Sequence, residues 1–483
     1  MKKNIILLSI DYTSDNGTLF AHFYEKNDVE KCRFPQIPKM SVDKSLRMIY
    51  NPIYKRTNVP ISERRRSGMS RTILHLDANC FYAAVECLYH PSIRNKPVAV
   101  CGDPEARHGI VLTATYEAKR MGVHVGQAIW QARQTCPQLI TVPPNYSLYI
   151  HFSQMMRQMW EEYSDRVESF GLDECWADVS SNAMDVRQGK LLADKLRNRV
   201  KNELGITISV GVANNKIFAK LGSDFKKPDG TTAIYPETFR ETVWPLPAKD
   251  LLYVGPSTTK KLARLGIYTI GDLARANSGL LKTMLGKNGL LLQAFALGLD
   301  TSPVMPVTAA AAIKSIGNST TTPHDIATAE DAKCVYYLLA ESVAARLREH
   351  GFRTQCVSVS ARTTELFTSS CQTMIRPATD ITSEIADAAY KLFMTRFVQS
   401  LPLRSVGISC SRLIPTQAPM QLSFADDPTV RIKKEYLDQA IDDLRRRYGH
   451  NVVQRGVVMT DSSFAMLKPK EDHVIHPVPF WAG

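Results

Sequence analysis

Residues 71–91, RTILHLDANCFYAAVECLYHP, begin as a buried strand and turn into an amphipathic helix, with Asp77 at the change. The apolar run Ile73, Leu74 and Leu76 is too short for a helix of its own and stops at a carboxylate. A strand tip is rigid, so an acid placed there is well mounted for chemistry.

At 483 residues the chain exceeds what one hydrophobic core organises and suggests roughly three or four domains. Hydrophobic residues make up 44% and charged residues 22%, an ordinary globular composition. The charge is less ordinary: 60 Lys plus Arg against 47 Asp plus Glu give a formal net charge of +13. Basic clusters fall in SERRRSGMSR, SDFKKPDG, TKKLARLG, RIKKEY and DLRRRYGH, which favours a polyanionic partner; a solvated basic surface is the alternative. The ten cysteines are scattered, with no C-x-x-C pair and no His at zinc-ligand spacing, so a reduced cytoplasmic compartment is expected. The apolar stretch near the start, Ile5 to Ile10, is too short for a signal peptide or a membrane span.

Residues 1–70 read as an extension of unknown role, with a short strand over Ile5 to Ile10, a hairpin through SDNG to TLFAHFY, and then a polar basic stretch. Met69 stands just before the first strand of the next unit, so a natural start there is an alternative. From 71 to about 235, runs such as TILHLD, PVAVCG, GIVLTAT and GITISVGVA alternate with helical patterns such as DVRQGKLLADKLRNRVKNEL, giving an α+β or α/β unit with a mixed sheet. Residues 236–304 read as helical and 305–312 as a linker. A second mixed unit follows, with strands near CVSVSAR and RSVGISCSRL and helices at 328–350 and 380–399. A tail from 416 carries one clear helix, IKKEYLDQAIDDLRRRYG.

The second acidic signal is SFGLDECWADVS, where Asp173 and Glu174 are adjacent between two strand-like runs. Neighbouring acids on a strand hairpin point in different directions, so the pair can serve two metals or one metal and a reacting group. Carboxylates holding two Mg²⁺ ions suit in-line nucleotidyl transfer. Taken alone, such a pair is more often a solvated turn.

The runs LHLDANCFYAAVE, TATYEAKRMGV, SFGLDECWADVS, SVGVANNKIFAKLGSDFKKPDG and VGPSTTKKLARLGI stand in the order and spacing of the Y-family translesion DNA polymerases, and the chain resembles their DinB/UmuC group over about 71–415. The resemblance implies an α+β multidomain right hand: palm at 71–80 and 147–235, fingers at 81–146, thumb with a helix-hairpin-helix at 236–304, linker at 305–312, and a DNA-binding little finger at 313–415, before a C-terminal tail at 416–483. It implies that Asp77, Asp173, Glu174 and the backbone carbonyl of Ala78 hold two Mg²⁺ ions, with Mn²⁺ the alternative ion. Their reaction joins a dNTP to a primer 3′-hydroxyl on template DNA.

Tyr82 falls on the family's steric-gate position, and Tyr116 and Lys227 on its triphosphate contacts. Where the family usually carries Arg after YEA, this chain has Lys119 followed by Arg120, and either cation is a candidate. In the thumb, Gly255, Ser257, Lys260 and Lys261 match a phosphate-binding helix start, with Ser257 expected to cap the helix. Lys314 opens the polar strand KSIGNSTTT, similar to the family's DNA-contacting segment. In the tail, PMQLSFADD resembles the peptide that docks such enzymes on a sliding clamp, through Gln421, Leu422 and Phe424, with one apolar position missing. A monomer with no membrane partner is expected. The competing readings are a catalytically idle DNA-binding recruitment factor, which retention of the three acids argues against, and a nucleotidyl cyclase, which needs neither a helix-hairpin-helix nor a clamp peptide.

Overall fold

The computed structural model describes residues 7–13, 18–24, 71–103, 109–180, 185–309, 312–421, 428–449, 452–460, 464 and 467. The chain divides into two units between Gly68 and Met69. In the first, β1 (Leu7–Thr13) pairs antiparallel with β2 (Thr18–Tyr24), Leu7 opposite Tyr24. Residues 14–17, the SDNG of the expected hairpin, lie outside the described residues.

In the second unit β3 (Ile73–Ala78) is followed by a small sheet of β4 (Val98–Cys101), β5 (Val111–Ala114) and β6 (Ile140–Val142), ordered β5-β4-β6. Four later strands, β7 (Val167–Ser169), β8 (Glu174–Asp178), β9 (Ile208–Ala213) and β10 (Thr231–Ala233), join β3 in a mixed sheet ordered β10-β9-β3-β8-β7. Successive side chains of a strand face opposite ways, so β3 serves two cores. Leu74 and Leu76 pack with the Tyr146–Glu161 and Val186–Leu204 helices, and Ile73 packs with the Lys216–Phe225 helix. The Phe81–Tyr89 helix, expected in the fingers, adds Phe81 and Val85 to the first of these cores.

Local chemistry fixes these helices. Asp185 and Gln188 form a reciprocal cap at the start of Val186–Leu204, its buried residues recur at 186, 189, 192, 193, 196, 200 and 204, and Gly205 ends it at φ 71°. The Lys216–Phe225 helix lies directly on β9 because Gly211 has no side chain: a Cβ there would stand 1.8 Å from the Ala219 carbonyl oxygen. That close approach lowers Lys220 and Ser223 onto β3, where they meet Asp77 and His75.

Helices Pro256–Ala263, Ile270–Arg275, Ser278–Leu285 and Lys287–Ala296 share their apolar core with the Lys216–Phe225 helix. The expected linker is tied to the β7 end of the sheet at its start: Met305 N–H donates to Glu168 at 3.0 Å and Val307 N–H to the Asp165 carbonyl at 2.9 Å.

The last sheet, of β11 (Ser315–Ile326), β12 (Phe352–Thr363), β13 (Thr368–Thr379) and β14 (Leu403–Pro415), is antiparallel and ordered β11-β14-β12-β13. Its core includes the Ala329–Glu349 and Thr382–Arg396 helices, together with Val458 and Phe464 from the segment read as a tail. The Pro428–Tyr448 helix is anchored to the same domain by buried ion pairs. Asp438 meets Arg455 at 2.6 Å and Arg348 at 3.4 Å, while Glu341 meets Arg445 at 2.9 Å and Arg455 at 3.1 Å. Among the described residues no helix is long and apolar enough to cross a membrane.

Candidate active site

The β3–β8 register sets Asp77 directly opposite Glu174, so the two carboxylates share one face at the end of both strands. Like charges placed in this way repel. The Lys220 ammonium relieves them by standing 2.9 Å from Asp77 Oδ2 and 2.7 Å from Glu174 Oε2, and Lys227 adds a contact of 2.8 Å to Asp77 Oδ1 and one of 2.9 Å to Asp224. Burial disfavours both ammonium charges, yet the acids more than offset it and raise the pKa of each lysine.

Asp173 sits in the β7–β8 turn, which is closed onto β3 by a hydrogen bond from Ala78 N–H to the Asp173 carbonyl at 2.9 Å. Among the described residues its carboxyl group has no Lys or Arg at ion-pair distance. Burial first, and then the charges of Glu174 and Asp77, push it up to about 7. Glu174 goes the other way: burial acts upward, but the His75 and Lys220 contacts hold it below the usual carboxylate range. The adjacent acids thus differ as their places on a turn and a strand require. Asp77, Glu174 and a fully buried His75 present ligand atoms within 4.8 Å of one another. Hard oxygens so grouped, beside an acid lacking a cation, are a donor set that fits a divalent metal.

Around this centre lie the other expected residues. The Tyr82 ring stacks on Tyr149 at 4.3 Å and 9° and meets Tyr146 edge-on. Tyr149 is itself held by donating its hydroxyl to buried Glu86. Phe81 is fully in the core, whereas Tyr82 is half-buried. Tyr116 donates to Asn79 Oδ1 at 3.3 Å, and the same oxygen accepts from Ser209 at 3.0 Å. Lys119 stands 5.0 Å over the Tyr116 ring and 3.2 Å from Cys80 Sγ, while Arg120 is exposed at the end of the same short helix.

Gly255, Ser257, Lys260 and Lys261 are exposed together on the Pro256–Ala263 helix, and Lys314 is exposed just before β11. The expected capping by Ser257 is corrected. Gly255 is the N-cap, no side chain caps the helix, and Ser257 lies inside it, because Pro256 with its fixed φ takes the first helical position. Gln421 is exposed, and Leu422 and Phe424 lie outside the described residues.

Three residues of the centre escaped the sequence reading: Lys220, Ser223 and His75. A signal for the first two was present as a polar row, Lys220, Ser223 and Asp224, at helical spacing on a helix that is otherwise apolar after Lys216.

Residues 76–224 match the impB/mucB/samB family and residues 313–424 match its C-terminal domain. The DNA polymerase IV of Acetivibrio thermocellus is 48% identical over 393 residues, covering 81% of this chain and 98% of that protein. DNA polymerase IV 1 of Bacillus subtilis is 37% identical, with 81% and 94% covered. A solved Y-family DNA polymerase chimera of Dbh and Dpo4 superposes with a TM-score of 0.63 at 25% identity, over 71% of this chain and 99% of its own. With its opposed acids at the ends of β3 and β8 and both family domains in place, the chain belongs to the impB/mucB/samB family and is a translesion DNA polymerase of the Y family, of the DinB-like group.

Proposed function

We propose that the five-stranded sheet is the palm of a right hand and that Asp77, Asp173, Glu174 and the backbone carbonyl of Ala78 hold two Mg²⁺ ions there. The observation that carries this reading is the facing pair Asp77 and Glu174 beside an Asp173 that, among the described residues, has no Lys or Arg at ion-pair distance. When bound, the metal supplies a lowered pKa at the primer 3′-hydroxyl and neutralises the triphosphate. The chain's own residues do the rest. Lys227, now resting on Asp77, exchanges that partner for phosphate oxygens, and Lys220 pairs with the two strand acids until they are occupied. Tyr116 donates its hydroxyl to the triphosphate. Lys119 supplies the nearby point charge, a role its place over the Tyr116 ring favours over Arg120.

Tyr82, fixed by its stack on Tyr149, excludes a ribose 2′-hydroxyl. The β4–β6 sheet forms the fingers, and residues 236–304 the thumb. The first-turn N–H groups after Gly255, with Ser257, Lys260 and Lys261, grip a DNA phosphate. The β11–β14 domain, entered at Lys314, is the little finger and binds primer–template DNA in a salt-sensitive, sequence-independent way. Gln421, Leu422 and Phe424 dock the enzyme on a sliding clamp, the two apolar side chains each burying surface worth about 1.5–3 kcal/mol before entropic losses.

Single-nucleotide insertion by the purified chain on an undamaged primer–template tests the reading. Insertion should follow the template base, require Mg²⁺ or Mn²⁺, and stop on adding EDTA. Template-independent or chelator-insensitive insertion would contradict it.

A further inference from the structure

His75 has no place in the mechanism above, and it is the one imidazole among the described residues that is wholly buried and aimed at the catalytic acids. It shares the Asp77 face of β3, since residues two apart on a strand point the same way. Its Nδ1 lies 3.0 Å from Ser223 Oγ, its ring edge meets Trp176 at 5.1 Å between centroids, and its Nε2 lies 3.3 Å from Glu174 Oε2. That Nε2 is buried and makes no completed hydrogen bond. A buried ring nitrogen is costly unless paired, and the Glu174 carboxylate is the group within its reach.

We propose that His75 is a positioning residue which, braced by Ser223, fixes the Glu174 carboxylate for metal binding. The inference rests on the reading of Glu174 as a metal ligand. Next to an ionised carboxylate a bare Nε2 lone pair is repelled, whereas Nε2–H attracts. Nδ1 is then the acceptor, and the Ser223 hydroxyl, whose oxygen also lies 2.7 Å from the Lys220 carbonyl, turns its proton from that carbonyl to Nδ1. The result is a directed chain: Ser223 O–H to Nδ1, then Nε2–H to Glu174 Oε2. Lys220 holds the same Oε2 at 2.7 Å, so both groups restrain one oxygen of Glu174 and leave the other to the ion. When Lys220 gives way to a divalent cation, His75 is the restraint that remains. Hydrogen-bonded supports of metal ligands of this kind typically change metal affinity by about 10- to 100-fold when removed.

The test is Mn²⁺ binding, read by electron paramagnetic resonance on the full chain with a dideoxy-terminated primer–template and dNTP, so that no turnover occurs. His75→Leu should weaken binding about 10-fold or more. His75→Gln, whose amide N–H can reach the same oxygen, should recover most of the loss, and Ser223→Ala should fall between. Excess Mn²⁺ should restore insertion by His75→Leu but not by Glu174→Ala. Wild-type affinity in His75→Leu, or no recovery in His75→Gln, would overturn the inference and leave a core residue. If His75→Leu does not fold, unchanged affinity in Ser223→Ala overturns it instead. A wild type lacking DNA-dependent Mn²⁺ binding, or an unaffected Glu174→Ala, would remove the metal reading itself.

Discussion

In the β11–β14 domain both oxygens of Glu341 and both of Asp438 meet a guanidinium, and Asp438 also accepts the Thr382 N–H at 2.7 Å. On the five-stranded sheet Asp77 and Glu174 are covered by lysines, but among the described residues Asp173 has no Lys or Arg at ion-pair distance and its carboxyl is pushed up to about 7. Both clusters are buried charge. The first is closed: planar arginines meet the carboxylates and nothing further is needed. The second uses flexible lysines, point charges that can exchange one partner for another, and it keeps an acid in excess. On the proposed function, the cluster that the chain completes serves the fold, and the one left acidic serves a cation.

The largest effect on stability expected from this contrast is on the closed cluster. Asp438→Ala should cost about 3 kcal/mol of unfolding free energy, because Arg348 and Arg455 lose a buried partner. Insertion on short primers at a permissive temperature should stay within about twofold, since no part of the proposed site is removed. Urea unfolding beside an insertion assay checks both. A cost well below that would show the C-terminal helix to be only loosely attached.

The excess of acid should be visible at the sugar as well. Tyr82 borders Asp173, and burial first and then that charge push its phenol up to about 12. Tyr82→Ala should raise ribonucleotide insertion relative to deoxyribonucleotide insertion by about 10- to 100-fold while leaving the acids in place. Competition between the two sugars at one template base measures it, and unchanged discrimination would take Tyr82 out of the gate.

Smaller and of opposite sign is Asp173→Asn, which should stabilise the metal-free protein by about 1–2 kcal/mol at neutral pH. The sign follows from the raised pKa. The folded state keeps this proton between the ordinary Asp value of 3.8 and about 7, where the unfolded chain has lost it, so stability falls as pH rises through that window. The gain from Asn should therefore grow between pH 4 and 7 and be flat above, when unfolding is followed in EDTA. A gain independent of pH would mean that the carboxyl is not held protonated.

Much of the proposed centre was legible in the sequence, because an acid ending the run Ile73, Leu74, Leu76 and a second acid pair between two strand-like runs are local signals. His75 was not, since inside an apolar strand it reads as an interruption and its partners Ser223 and Glu174 are about a hundred or more residues away. The β3–β8 pairing carries Glu174 to it, and the absence of a side chain at Gly211, which lets the Lys216–Phe225 helix touch the sheet, carries Ser223. The Pro428–Tyr448 helix misled for a different reason. Hydrophobic periodicity finds helices that dock through apolar stripes, whereas this one docks through Arg431, Asp438, Asp442 and Arg445, and so it read as a clear helix in a tail, with its attachment to the domain unseen.

The smallest effect concerns the cation that departs from the family pattern. Lys119→Arg would restore a fork able to bind phosphate in two places and should lower the KM for dNTP about three-fold, while Arg120→Ala should change it by less than about two-fold. Steady-state insertion kinetics compares them, and the reverse ranking would move the triphosphate contact to Arg120.

The central claim, that the incompletely neutralised acids are the catalytic metal centre, is met most directly by measuring single-nucleotide insertion and primer–template affinity together for Asp173→Ala. Loss of several kcal/mol of transition-state stabilisation should slow insertion about 1000-fold or more while the DNA Kd stays within about twofold. Insertion that persists near the wild-type rate, or affinity that collapses in parallel with it, would contradict the account.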